Sequence, residues 1–392
     1  MMLNRNLVYV LAALALAAAS QAAAAPIVPS ELVVFGDSLS DTGNVYATAM
    51  LKIEDNTGVL YDGIANFPGP TPPALSGNIL VNAGLTSAYN YQPGRFTNGA
   101  NSRPTSNIAG VWVEQLATRL EMALPTPSTS SGRNYAYGGA EAKAAQHTYI
   151  EPAGAGQTTV TSTAVVDNIG AQTGWYTGGY GTGDIPGDAL YVIWAGGNDL
   201  INIATEIIKG TPNFNVNQLV PAAQTAVAYL KSQIQTLYNR GARCFIWPNL
   251  PPVDRVPWYK NQAQDLRDKL RDAAILFQTD HQAAAADLVG NNNGLSIATV
   301  DVLGLFNNVL QNPAAPQYMF DNIDTAARGL TNENPDKYVF WDDIHPTTRT
   351  HQLIASAAFA AVIAAGCVVP EPATLGLLLL ALAALLPRLR HR

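Results

Sequence analysis

The stretch Phe35-Gly-Asp-Ser-Leu-Ser-Asp-Thr-Gly-Asn44 sets Ser38 just past a short apolar run, in a tight turn led by Gly36. A serine hydroxyl held there stands clear of the chain and near free backbone N–H groups, which can stabilise a developing negative charge. Taken alone, such a serine is equally well explained as a cap or turn member. A nucleophilic serine needs a base, and the chain has five histidines. His391 lies in a basic tail. His281, between Asp280 and Gln282 in a polar-rich helical stretch, reads as solvated. His147 reads as a loop residue with no acidic neighbour to orient it, and His351 as a surface or core residue inside a helix. His345, in Trp341-Asp-Asp-Ile-His-Pro346, is different. A residue before proline avoids the helical region, so His345 sits in a turn or at a cap, and Pro346 suits the first helical position. Asp342, three residues back across that turn, can meet the imidazole and fix its tautomer. The rival reading for Asp342 and His345 is a metal-ligand pair, but a third ligand at suitable spacing is not visible, so no metal or cofactor is expected.

The elements that must position these groups follow from hydrophobic periodicity. Glu31–Phe35, Ala189–Trp194 and Arg243–Trp247 are apolar runs ending at Gly or Pro and read as buried strands, with a weaker fourth at Ile297–Val302. Between them, Val111–Leu120, Pro221–Asn239, Gln262–Leu288 and Thr348–Ala365 carry helical patterns, the second closing at Gly241. Short strands alternating with helices predict an α/β domain with a largely parallel sheet, whose sites lie at the carboxyl ends of the strands. Two stretches break the pattern. Asp55–Ile108 is rich in Gly, Pro and Asn, and Ala153–Gly187 in Gly and Thr, so both read as excursions over the rim of the sheet. The second is a candidate lid.

The 392 residues carry a formal net charge of −7, and removing the arginines of the two ends makes the body more acidic still. That balance excludes nucleic acid or an anionic membrane surface as the main partner. A hydrophobic fraction of 48% excludes intrinsic disorder. Cys244 and Cys367 are the two cysteines, too few for a disulfide scaffold; a bridge between them is one option and buried free thiols the plainer one. Residues 1–25, with Arg5, an apolar run and the small-residue close Ala22–Ala25, have the layout of a secretory signal peptide. At the other end, Pro370-Glu371-Pro372 precedes an apolar run, Ala373–Leu386, and an arginine-rich finish. As a helix, residues 373–387 would reach about 22 Å, short against a hydrocarbon core of roughly 30 Å but compatible with a thinned membrane and snorkelling arginines. The body is then a single domain over 26–369.

Two resemblances follow from these residues. The set Gly36-Asp-Ser-Leu39, Gly196-Gly-Asn-Asp199 and Asp342-Asp-Ile-His345, in this order, resembles the GDSL (SGNH) hydrolases, and the longer Gly36–Asn44 motif their lipase/phospholipase/haemolysin-like branch. Asn134-Tyr-Ala-Tyr-Gly-Gly-Ala140 and Asn249-Leu-Pro-Pro-Val253 are similar to further blocks of that branch. Gly94-Arg-Phe-Thr-Asn-Gly99 is similar to another, although in that family it runs almost directly into Val-Trp-Val-Glu, whereas Ala100–Gly110 intervenes here before Val111. The resemblance implies a flavodoxin-like three-layer α/β/α sandwich and acyl transfer through a serine ester. It gives Ser38 as nucleophile, His345 as general base and Asp342 as its orienter. The oxyanion hole would combine the Ser38 N–H, a glycine N–H (Gly139 preferred over Gly138) and the Asn198 side-chain amide. Asp199 and Asp343 read as local turn residues, and Tyr46, Trp194 and Trp341 either line an acyl pocket or pack in the core, the core being the plainer reading for Trp194. The second resemblance, over 370–392, is to PEP-CTERM sorting signals. It implies export from a Gram-negative bacterium, exosortase-type sorting to the cell surface or matrix, and transient anchoring by residues 373–387. The expected activity is that of an esterase or lipase, with phospholipase and acyltransferase as variants. A carbohydrate O-acetylesterase acting on exopolysaccharide is the alternative, and a non-catalytic matrix protein the rival from another class.

Overall fold

A computed structural model describes residues 29–44, 94–98, 110–151, 162–328, 330 and 333–367, with short antiparallel strands at 52–54 and 60–62. The expected leader, the sorting tail, Tyr46 and all of the inserted stretch except Gly110 lie outside the described residues.

Strands β1 (Leu32–Gly36), β2 (Leu190–Trp194), β3 (Cys244–Pro248) and β4 (Ser296–Val300) form one parallel sheet in that order. Every residue of the first three is buried, as expected for strands covered on both faces by crossover helices. Each buried Val, Ile or Phe there contributes roughly 2 kcal/mol of transfer free energy, so the ends of β1 and β2 are stiff platforms. On the free side of β1, Arg133–Tyr135 runs parallel to it. Val34 N–H donates to the Arg133 carbonyl at 2.9 Å, and Tyr135 N–H to the Val34 carbonyl at 2.7 Å. Counting this segment, the chain order across the sheet is 2-1-3-4-5. This is the flavodoxin-like arrangement, whose order reverses at β1.

The helices are α1 (Trp112–Arg119), α2 (Ile169–Gly178), α3 (Gly197–Ile208), α4 (Leu219–Asn239), α5 (Gln264–Asn291), α6 (Val302–Gln311) and α7 (Thr348–Ala364). Alternation along β2 sorts them into layers. Trp194 meets Trp112 of α1 edge-on at 5.4 Å, whereas Tyr191 points to the other face and meets Tyr176 of α2 at 5.9 Å. α1 packs with α7, and α2 and α5 both pack with α4, which completes a three-layer α/β/α sandwich. A two-stranded parallel sheet, β5 (Asn322–Ala326) with β6 (Tyr338–Phe340), leads into the turn that carries His345.

Three expectations are corrected, on the 153–187 stretch, His281 and His147, while the plainer readings of Trp194 and the two cysteines stand. Much of Ala153–Gly187 belongs to the body: a strand at 162–166 pairs with 147–151, and α2 buries Ile169, Gln172, Thr173 and Tyr176. The many Gly and Thr residues hid the apolar stripe there. His281 is not solvated but 1% exposed, donating its Nε2–H to the Trp247 carbonyl at 2.8 Å, because α5 is long enough to bury one face completely. His147 opens a strand and lies 3.8 Å from Glu141, so an acidic neighbour is present. Trp194 and Trp341 are enclosed in the core at 0% and 1% exposure. Cys244 and Cys367 are buried free thiols. Among the described residues no helix is long and apolar enough to cross a membrane.

Candidate active site

Ser38 stands in the turn that follows β1. Three N–H groups of that turn close on Asp37: Leu39 on its carboxylate at 3.0 Å, Ser40 and Asp41 on its carbonyl at 3.0 Å each. This winds the chain tightly and aims the Ser38 hydroxyl outward from the sheet end. Ser38 Oγ lies 2.9 Å from His345 Nε2, and His345 Nδ1 lies 2.7 Å from Asp342 Oδ2. Residues 307 positions apart are thus joined in one chain of hydrogen bonds. Because Nδ1 faces a carboxylate, it carries the ring proton, which leaves Nε2 to accept from the serine.

The His345 turn is held from both sides. Trp341 N–H donates to the His345 carbonyl at 2.8 Å, and Thr347, whose hydroxyl caps α7, donates its N–H to the Val339 carbonyl. The 94–98 segment braces the far side. Thr97 Oγ1 donates to the Pro346 carbonyl at 3.0 Å, and Asn98 Oδ1 accepts the Thr348 N–H at 2.7 Å. Phe96 packs its ring 5.1 Å from the His345 ring, and a Cβ on Gly138 would overlap the Phe96 ring.

The 138–142 loop is pinned from two directions. Gly138 N–H donates to Asp41 Oδ2 at 2.9 Å, so it is committed to structure. Gly139 follows with φ +84°, a conformation that glycine adopts without strain. Among the described residues, the N–H groups of Ser38 and Gly139 have no hydrogen-bond partner. Asn198, at the start of α3 beyond β2, donates Nδ2 to the Ala140 carbonyl at 2.9 Å, which sets its amide beside the same loop. The serine, the glycine and the asparagine therefore meet at the carboxyl ends of β1 and β2, where the sheet order reverses.

Asp199 is not the local turn residue expected. Asp199 Oδ2 accepts the Ala142 N–H at 2.9 Å, across 57 residues. Burial pushes its carboxyl up to about 7, against the Ala142 hydrogen bond that lowers it. Burial likewise pushes Asp37 up to about 7, opposed by the Leu39 N–H and by His345. Asp343 is raised by burial and then by the neighbouring Asp342. The Asp343 carbonyl accepts the Trp258 N–H at 2.9 Å. His351 is buried on α7, accepts the Trp112 N–H at Nδ1, and is pushed down to about 3 by burial and by the nearby His345. Among the described residues, no group of His, Cys, Asp or Glu could hold a metal ion.

Asp41 and Asn44 carry more of the site than sequence reasoning assigned them. Asp41 Oδ1 accepts the Gly43 and Asn44 N–H groups at 2.7 Å each. Asn44 Nδ2 donates to the Asn134 and Ala136 carbonyls at 2.7 and 2.9 Å. Together they knit the serine turn to the 134–140 segment. Their place within the Gly36–Asn44 motif was the signal that could have found them.

A family model described as GDSL-like lipase/acylhydrolase matches residues 32–358. A GDSL esterase/lipase of Arabidopsis thaliana is 26% identical over 357 residues, covering 84% of this chain and 86% of that protein. An acetylesterase of Thermothelomyces thermophilus is 30% identical over 236 residues, covering 59% of this chain and 68% of its own length. With a further Arabidopsis thaliana GDSL esterase/lipase, 25% identical over 211 residues, half of this chain matches, and it spans about half (53%) of that relative.

Proposed function

The chain belongs to the GDSL-like lipase/acylhydrolase family and is a carboxylic ester hydrolase, and from that premise we propose that it works through a Ser38-His345-Asp342 triad and a covalent acyl-enzyme. The observation that carries this reading is the unbroken chain from Ser38 Oγ through both His345 nitrogens to Asp342, at 2.9 and 2.7 Å. His345 Nε2 takes the serine proton as Oγ attacks the ester carbonyl, and the imidazolium that forms is stabilised by Asp342. The oxyanion of the tetrahedral intermediate is met by the N–H groups of Ser38 and Gly139 and by the Asn198 amide. Gly138 is excluded from this role because its N–H already serves Asp41. Collapse expels the alcohol, protonated by His345, and leaves the acyl group on Ser38. Water, or a second alcohol, then attacks with His345 again as base.

The test is hydrolysis of a p-nitrophenyl ester series from C2 to C16, with Ser38→Ala beside the parent protein. Loss of activity in the variant supports the serine mechanism, and equal activity in both removes Ser38 as nucleophile. The same series decides the acyl group. A long-chain optimum fits a lipase, with phospholipids and acyl acceptors as the next substrates to assay. A sharp C2 optimum fits the second reading, an O-acetylesterase acting on carbohydrate, which the likeness to an acetylesterase supports.

The order of residues at the two ends supports a setting for this activity. Residues 1–25 export the chain, and residues 370–392 hand it to exosortase-type sorting machinery at the cell surface or matrix, with transient anchoring through 373–387. Fractionation of cells making the full chain and one ending at residue 369 tests this; identical partition of the two would refute it.

A further inference from the structure

Gln172 lies on α2, in a stretch without any motif, and has no exposed surface. Its Oε1 accepts the Gly36 N–H at 2.8 Å, and its Nε2 donates to the Gly36 carbonyl at 2.8 Å and to the Asp167 carbonyl at 2.7 Å. One carboxamide thus clamps both polar groups of a single backbone residue and anchors itself with its remaining proton. Gly36 closes β1, two residues before Ser38. Its carbonyl also accepts the Tyr137 N–H at 3.1 Å, two residues before Gly139. The first turn of α2 reaches the same loop a second time, because Asn168 Oδ1 accepts the Glu141 N–H at 2.8 Å.

We propose that Gln172 is a positioning residue for ester hydrolysis, fixing through Gly36 the spacing between the Ser38 turn and the Gly139 loop. The physical reason lies at the end of the strand. A buried peptide group there must be satisfied by some partner, and a partner bonded on both sides removes the freedom of Gly36 to rotate. Ser38 lies two residues beyond Gly36, and Gly139 two residues beyond Tyr137, whose N–H is held by the Gly36 carbonyl, so a shift in Gly36 changes the distance between nucleophile and oxyanion donor. A misplacement of about 1 Å at such a site costs on the order of 100-fold in rate.

The inference rests on the serine reading above, and its test separates the two. Gln172→Met keeps the volume and removes all three hydrogen bonds. In folded Gln172→Met, kcat on the preferred p-nitrophenyl ester should fall about 10- to 100-fold while KM changes less than about threefold. Inactivation by a p-nitrophenyl phosphonate should slow in parallel. Gln172→Glu supplies a second readout. Its introduced carboxyl, raised by burial, can donate to the Gly36 carbonyl only while protonated. Its kcat relative to the parent protein should therefore fall as pH rises from 5 to 9, whereas the Gln172→Met ratio stays flat. Tyr176→Phe, on the same helix, loses hydroxyl contacts with Tyr191, at 3.2 Å, and Tyr180 but none with Gly36, and should keep the parent kcat.

Folded Gln172 variants with kcat within twofold of the parent overturn the proposal, as does an equal loss in Tyr176→Phe. Failure of both Gln172 variants to fold also overturns it, in favour of a purely structural role. If Ser38→Ala stays active, the serine reading beneath it fails instead.

Discussion

Asp342 divides its carboxylate between two tasks at His345. Oδ2 takes the ring Nδ1 at 2.7 Å, while Oδ1 takes the backbone N–H groups of Ile344 and His345 at 2.7 and 2.6 Å. The same side chain therefore builds the turn that carries the imidazole and orients the imidazole on it. Three-residue spacing is what allows this, since a shorter or longer separation could not close both sets of bonds with one carboxylate.

Asp342→Asn separates the two tasks. The amide oxygen can still hold the turn, but the group facing Nδ1 no longer favours the productive tautomer or its charged form. kcat should fall by about 10⁴-fold with the melting temperature nearly unchanged. A loss under tenfold would show that Asp342 serves the turn alone.

Gly138→Ala tests the aromatic wall. The added methyl must displace Phe96, which packs on the His345 ring. Activity should drop at least tenfold, roughly the cost of moving a catalytic group by a fraction of an ångström. Pairing it with Phe96→Ala should restore part of the loss; two purely additive losses would rule this coupling out.

Asn198→Ala removes one donor beside the Gly139 loop. A loss of about 100- to 1,000-fold in kcat, with KM little changed, is expected of an oxyanion donor. A change confined to KM would assign Asn198 to substrate binding instead.

Asp37 gives a pH signature in stability. Its folded pKa of about 7 lies above the roughly 3.9 of an unfolded aspartate. Between those values the folded state keeps a proton that the unfolded state has released, so this group makes stability fall as pH rises from about 4 to 7. Asp199 acts in the same direction. His281 and His351, pushed down to about 4 and about 3 by burial, act oppositely below about 6.5. The comparison with Asp37→Asn cancels these other groups. The variant should gain on the parent protein by on the order of 2 kcal/mol between pH 5 and 8, read from denaturation curves. Parallel pH profiles would refute it.

The parts of the site that sequence made legible are those whose chemistry is local. Asp342, His345 and Pro346 carry their own turn, and Gly36-Asp37-Ser38 its own strand end, so residue type and spacing singled them out as candidates and the family motifs assigned their roles. The apolar runs of β1, β2 and β3 identified a parallel sheet because burial on both faces leaves no alternation to confuse with a helix. Gln172 was illegible for the opposite reason. Its partner Gly36 is 136 residues away on β1, and an amide in a Gly- and Thr-rich stretch has no local pattern. Asp199 was misread as a turn residue because its partner, Ala142, is also remote, 57 residues back.

By itself the sequence determined the candidate reactive groups, the strands that end beside them and the order in which they occur. Only the tertiary structure decided that Ser38 and His345 lie 2.9 Å apart, that Gly138 is spent on Asp41, and that Gly139 and Asn198 stand at one loop. Side-chain chemistry is a property of each residue and its immediate neighbours. Distance between residues hundreds of positions apart is instead set by how strands stack and helices cross, which depends on the packing of the whole core.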